Sequence, residues 1–237
     1  MKLQELLLDA GRIEAFLAEV ATLATEAVDR ARSCGVAVVA SAPRRLWAGA
    51  SDEFAQRMHE VQLDVDDGPC LQCLRTGVPV RAAAIASDPR WPTFTALGRD
   101  EGAGSALVVP VILGGETIGA LNLYSDEPDA FDNTDHSQAR QFADHAAGTV
   151  ALAIRLTERE DRERNLQVAL ASRATIDQAI GVLVGQRGIS AQAAFDVLRH
   201  QSQRTNTKLR DVATTVIAAI SGHPTTARSG AEDSIRY

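Results

Sequence analysis

The most reactive side chains in the sequence are Cys70 and Cys73, which frame "CLQC" at the i, i+3 spacing of one helical turn. Thiols so placed can pack, oxidise reversibly or ligate a metal. Zinc wants four thiolate or imidazole ligands, and neither a second CxxC nor an HxxxH accompanies this motif. Cys34 brings the cysteine count to three, so the thiols cannot all pair and do not read as a disulfide framework. Structural thiols and a redox-responsive Cys70–Cys73 pair both stay open. "DVDD" at 64–67 gathers carboxylates of the kind general acid–base chemistry uses, but the Gly68 and Pro69 that follow suit a solvated turn. GxSxG, a phosphate-binding P-loop and HExxH are absent, and the five histidines are scattered.

A second constellation lies toward the C-terminus. "IDQAIGVLVGQRGIS", residues 176–190, reads as a helix weakened in its own middle. Gly181 and Gly185 sit one turn apart, and each mid-helix glycine costs roughly 0.8–1 kcal/mol relative to alanine. With Asp177 they form one i, i+4 row, a shallow groove that lets either a neighbouring helix or a ligand backbone come close. Arg173, Arg187, Arg199, Arg204, Lys208 and Arg210 surround it in sequence and would attract phosphate.

These residues need elements to hold them. The apolar period over residues 12–31 predicts an amphipathic helix, and "MKLQELLLDAGRIEAF" reads as its start rather than as a signal peptide. "GVAVVAS" and "RLWAGAS" predict short strands, Asp52 to Val61 a helix, and "GPCLQCLRTG" a brief helix bracketed by Gly68-Pro69 and Gly77, before the strand "VPVRAA". "SALVVPVIL" and "ETIGALNLYS" flank Gly114-Gly115, a hairpin signal. Strands and helices mix without regular alternation, so the class is α+β with an antiparallel sheet and flanking helices.

From about Asp132 to Arg187 there is no proline, which predicts a long helix. Its stripe of Phe142, Ala146, Val150, Ala153 and Leu156 is interrupted by the charged collar "TEREDRERN" and resumes at Leu166, Leu170, Ile176, Ile180 and Leu183. Phe142, Val150, Leu166 and Leu170 are read as a seam for a second copy of the chain. Gly188 stops the helix, Ser190 caps "AQAAFDVLRHQSQR", and Asn206 or Thr207 caps a third helix with an apolar stripe from Leu209 to Ile220. The polar tail from His223 reads as disordered.

Charge divides the chain in the same place. Residues 1–160 balance at −10, residues 161–222 at +3, and the whole at −7. An acidic body and a mildly basic appendage imply different partners. No apolar run is read as a membrane span, so the expected location is cytoplasmic.

"DDGPCLQCLRTGVPV", "ASDPRWPTF", "SALVVPVILGGETIGALNLYS" and "AFDNTDHSQARQFADHAAGTVALAI" together resemble a GAF sensor domain of the actinobacterial type over residues 10–156. The resemblance implies a small-molecule pocket between the sheet and the "GPC" and "DPRWP" segments, with Cys70 and Trp91 in its wall. No cyclic-nucleotide, haem or bilin signature accompanies it, and no cofactor is assigned. "ALASRATIDQAIGVLVGQRGISAQAAFDVLRHQSQRTNTKLRDVATTVI" resembles the three-helix ANTAR domain, within residues 157–222, which leaves 223–237 as a tail. That resemblance implies binding of RNA hairpin loops and transcription antitermination. The family's Ala and Gly fall on Ala179 and Gly181, and Ile180 stands where a lysine is common.

The expected protein is a homodimeric, signal-responsive regulator without enzymatic activity. Loop bases would meet Arg173, Gln178, Ala179 and Gly181, and Arg204, Lys208 and Arg210 would meet phosphates. Two other readings stand beside it: a thiol enzyme of the free methionine-R-sulfoxide reductase kind, which is also built on a GAF domain, and a DNA-binding helical regulator.

Overall fold

A computed structural model describes residues 13–41 and 44–221. The start of the first helix and the tail, as read from the sequence, lie outside the described residues, as does the side chain of Ile220. The chain divides into two compact units between Glu160 and Asp161.

The first unit begins with α1 (Ile13–Ala27). Then come β1 (Ser33–Ser41), β2 (Arg44–Ala50), α2 (Glu53–Asp64), α3 (Pro69–Thr76), β3 (Val80–Ala82), α4 (Pro92–Asp100), β4 (Ser105–Leu113) and β5 (Glu116–Ser125). The strands form one sheet in the order β2-β1-β5-β4-β3, and every pairing is antiparallel. Gly114 and Gly115 both take positive φ, 61° and 86°, and join β4 to β5 as the hairpin signal predicts. Pro110 is tolerated in β4 because β3 pairs only with residues 106–108 there, leaving Pro110 beyond that pairing.

Strand periodicity sorts the side chains onto two faces. Val36, Val38, Leu107, Val109, Leu121 and Leu123 enter one cluster with α1 and the first turns of the long helix α5 (Asn133–Arg187). Ala37, Ala106, Val108, Ala120 and Tyr124 enter the other, with residues of α2, α3 and α4. Gly49 shows how tightly the first face is packed: a Cβ there would lie 2.3 Å from the backbone nitrogen of Ala18, so only glycine lets α1 seat on β2.

Two helix starts in this unit follow from side-chain caps. Asp52 Oδ1 accepts from Ala55 N at 2.8 Å at the head of α2. At the head of α5, Asp132 Oδ1 accepts from Thr134 N at 2.7 Å while Asp135 Oδ2 accepts from Asp132 N at 2.8 Å, a reciprocal box. α4 is an element that periodicity does not predict. Pro92 opens it, as proline at a first helical position does, inside a stretch read only as a motif.

The second unit packs the end of α5 with α6 (Ala191–Thr205) and α7 (Leu209–Ser221) around Ala179, Leu183, Ala194, Leu198, Val212 and Ala213. Gly188, at φ 63°, ends α5, and Ser190 Oγ accepts from Ala193 N at 3.2 Å. Asn206 does not cap α7. It closes α6 in the left-handed conformation at φ 50°, its short amide side chain tolerating what most residues avoid.

One sequence expectation for α5 needs correction. Val150 is fully buried in the first unit's core and cannot line a seam, whereas Phe142 is partly buried against that core. By length and composition α5 also passes as apolar enough to cross a membrane, with an 18-residue window of mean hydropathy 1.3. The same helix carries the charged collar and supplies Ala179 and Leu183 to the second core, as a bundle helix does.

Gly181 and Gly185 are exposed, and a Cβ on either would meet nothing within 4 Å. They do not let α6 or α7 approach, because those helices pack on the opposite side through Ala179 and Leu183. Gly181→Ala is therefore expected to raise stability by about 0.8–1 kcal/mol, read as a higher urea midpoint at unchanged slope. A loss of stability would mean the row is covered by something in the folded protein.

Candidate functional site

The second face of the sheet holds buried polar side chains among apolar ones. Gln62, inward on α2, donates from Nε2 to the Tyr124 hydroxyl at 3.1 Å, and its Oε1 accepts from Cys70 N at 2.8 Å at the start of α3. One glutamine thereby ties α2, α3 and β5 together. His59, one turn earlier, sits where Gly35 lacks a side chain, since a Cβ at Gly35 would lie 2.4 Å from the imidazole. Asn122 Nδ2 lies 3.3 Å from His59 Nε2 and donates to Gly35 O at 3.3 Å, whereas Asn122 Oδ1 is buried without a partner. Burial away from solvent lowers the His59 pKa to about 4 and keeps the ring neutral.

Cys70 and Trp91 are both buried in this cluster, so they form packed wall rather than an open lining. Trp91 already has a partner. The Arg90 guanidinium lies 4.1 Å over its ring and bonds Asp88 through Nη2 at 2.6 Å, so "DPRWP" clamps itself. The same pairing holds the Asp88 carboxyl below its usual range. Two cavities open beside the cluster. One of about 470 Å³ is bounded by Ser33, Asp52, Phe54, Arg57, Glu101 and Tyr124. The other, of about 390 Å³, lies over Gly49 and His59, with Glu14 and Glu60 on its wall.

The redox reading of the cysteines is corrected by burial. All three thiols are free and buried. Burial pushes Cys70 and Cys73 up to about 12, far from the thiolate form that oxidation needs. Cys34 faces the other side of the sheet, in the cluster with α1, so the three do not form one thiol centre. Ellman's reagent is expected to leave all three unmodified in the native protein and to titrate all three in urea; fast native modification of Cys70 or Cys73 would restore the redox pair. Among the described residues no group of three His, Cys, Asp or Glu side chains is placed to hold a metal.

In the second unit the structure separates the residues that the sequence grouped. Ala179 is fully buried in the three-helix core and cannot face a ligand, because the period that exposes Gly181 turns Ala179 inward. Gln178 and Gly181 are exposed on the outer side of α5. Arg173, in the same row as Gly181, lies 3.8 Å from Asp177. Arg210 is 3.3 Å from Asp211, and Arg199 is 3.1 Å from Asp196. Arg204 bonds only a neutral partner, Gln201 Oε1, at 2.8 Å. Arg187 and Lys208 have no acidic partner among the described residues. Arg187, at the end of α5, is brought to the α6–α7 turn by the folding back of the helices.

That turn borders a groove of about 360 Å³ between Leu183, Leu198 and Val212 below and Arg187, Gln201 and Thr207 around it.

Comparison with known proteins agrees with this division. The GAF domain family matches residues 12–151, and the ANTAR domain family matches residues 164–217. No curated protein sequence matches the chain. Among solved structures, the chain is similar to the GAF domain region of a putative membrane protein from Geobacter sulfurreducens, at 14% identity over 64% of this chain and 99% of that one, with a TM-score of 0.49. It is similar to the GAF domain of the Acinetobacter phosphoenolpyruvate-protein phosphotransferase, at 12% identity over 66% and 93% of the two chains, TM-score 0.47. It is also similar to the type II free methionine-R-sulfoxide reductase of Thermoplasma acidophilum, at 21% identity over 58% and 92%, TM-score 0.44. The chain belongs to the GAF domain family and carries a C-terminal ANTAR domain, the architecture of a signal-sensing, RNA-binding regulator of antitermination.

Proposed function

We propose that residues 161–221 bind the single-stranded loops of RNA hairpins, and that the protein does so as a homodimer whose long helices pair. The observation that carries the RNA reading is the uneven pairing of the second unit's cations. Arg164, Arg173, Arg199 and Arg210 each lie beside an aspartate, whereas Arg187, Arg204 and Lys208 have no acidic partner among the described residues and converge on the α6–α7 turn. Phosphate is the anion such a cluster attracts at long range. A balance of +3 over residues 161–222 is modest, so phosphate attraction alone cannot give tight binding and the loop bases must supply the discrimination. Burial of all three thiols, together with the ANTAR domain, favours a regulator over the reductase reading.

Fluorescence titration of the full chain with RNA hairpins, and with a matched RNA duplex and DNA duplex, tests this across a salt series. With two or three phosphates neutralised per protomer, log K should fall with log salt at a slope of roughly −1.4 to −2.1. Lys208→Ala should flatten the slope by roughly 0.7 and keep the loop preference. Equal affinity for hairpin and duplex RNA at low salt would remove the RNA-loop reading, and preference for duplex DNA would replace it.

The dimer proposal rests on leucines that the monomer leaves in water. Leu152, Leu156, Leu166 and Leu170 are exposed. With Arg159 and Glu163 between them they fall at alternating spacings of four and three, the repeat of a two-helix seam.

A further inference from the structure

We infer that the groove at the α6–α7 turn is the seat of one unstacked base of the RNA loop, with Arg187, Arg204 and Lys208 holding the phosphates on either side of it. This inference rests on the RNA reading and places its specificity away from the glycine row that the sequence suggested.

Three observations converge on the groove. Its volume, about 360 Å³, falls within the range of pockets that enclose small molecules, roughly 300–1,000 Å³. Its floor of Leu183, Leu198 and Val212 is aliphatic, a surface against which a base can lay its π-face out of water. Its rim is polar in the way base edges require. Gln201 offers a carboxamide with both donors and an acceptor, and Thr207 adds a hydroxyl.

Charge selects the occupant. Arg187 lines the groove, and Arg204 and Lys208 are the immediate chain neighbours of Thr205 and Thr207, which also line it. These are the three cations named above as lacking an acidic partner among the described residues, so their positive charge gathers around one concavity. A nucleotide presents the matching pair of properties, a flat apolar face and an anion on each side. The outer row of α5 offers neither: Gly181 and Gly185 lie on open surface, and the nearest cation in that row, Arg173, is paired with Asp177.

The test uses the full chain and a pool of RNA hairpins with randomised loops on one common stem, selected for binding and sequenced. Val197→Trp fills the groove from a position that is 37% exposed, and it removes no cation. It is expected to lower affinity for the selected hairpins at least tenfold and to erase loop enrichment, with binding to duplex RNA unchanged. Gln201→Leu, which keeps the groove's shape, should change which loops are enriched. Gly181→Leu, on open surface, should leave both affinity and enrichment as in wild type. Circular dichroism and thermal melts establish that each variant is folded, and Gln201→Leu carries the test if Val197→Trp is not. Wild-type enrichment in Val197→Trp and Gln201→Leu, or loss of enrichment in Gly181→Leu, would overturn the inference. A change in sedimentation of Val197→Trp without a change in RNA binding would assign the groove to a second copy of the chain and overturn it as well. If wild type itself enriches no loop, the RNA-loop reading falls first, which separates the two failures.

Discussion

Glutamate at both Leu166 and Leu170 is expected to leave the protein monomeric at concentrations where the wild type sediments as a dimer. The two leucines are 60% and 59% exposed in the single chain, so they contribute nothing to the core of either unit and their replacement does not threaten folding. Glutamate is itself a good helix former, which keeps α5 intact. In a paired seam each leucine would recover about 1–2 kcal/mol by leaving water, and four such side chains per dimer amount to about 4–8 kcal/mol. The dissociation constant should therefore rise roughly 10³- to 10⁶-fold, before any repulsion between the new carboxylates. In such a seam Arg159 and Glu163, between the two leucine pairs, would cost stability and fix the register, as polar residues do inside coiled coils. Leu152→Glu should weaken the dimer in the same direction. Sedimentation equilibrium decides it: a wild type that is monomeric at tens of micromolar, with and without RNA, would remove the seam.

Acid is expected to destabilise the sensor unit through His59, as pH falls from about 6.5 toward 4. The native ring is neutral down to about pH 4, because its surroundings exclude water, whereas in the unfolded chain it binds a proton near its ordinary value of 6.5. Between those values the unfolded state holds more protons than the native state, so stability rises with pH and falls as pH is lowered from about 6.5 toward 4. The window spans about 2.5 pH units, which at 1.36 kcal/mol per unit corresponds to about 3 kcal/mol. Asp88 and Asp132, both held below their usual range by hydrogen bonds, lose their contribution only at lower pH, as they protonate in the folded state. Urea unfolding of wild type and His59→Gln across this window is the measurement. The variant's midpoint should change less with pH than the wild type's. Parallel curves would mean that His59 is protonated in the native state and that solvent reaches it through the neighbouring cavity.

His59 also shows where sequence reading stops. Local patterns are written in adjacent residues, and those were legible. Period 3.6 marks α1 and α7, short apolar runs mark β4 and β5, Gly114-Gly115 marks their hairpin, and the break in charge near residue 160 marks the change of unit. α4 was missed because its short amphipathic run hides behind the prolines of "DPRWP". The candidate site was less legible, because burial and pairing depend on residues distant in sequence. Nothing near His59 in the sequence reveals that Gly35 and Asn122 enclose it, and nothing near Cys70 reveals the burial that raises its thiol.

The same division applies to the binding surface. Composition alone makes residues 161–222 basic, and spacing alone puts Gly181 and Gly185 on one helical row. Which side of that row faces the core is a matter of tertiary packing, and the structure turns Ala179 and Leu183 inward and leaves the glycines bare. Sequence likewise supplies six cations between Arg173 and Arg210 but cannot say which ones their neighbours neutralise. Only the folding back of α6 and α7 on α5 brings Arg187 to the turn that carries Arg204 and Lys208, because charges far apart along the chain share a field only when the backbone sets them side by side.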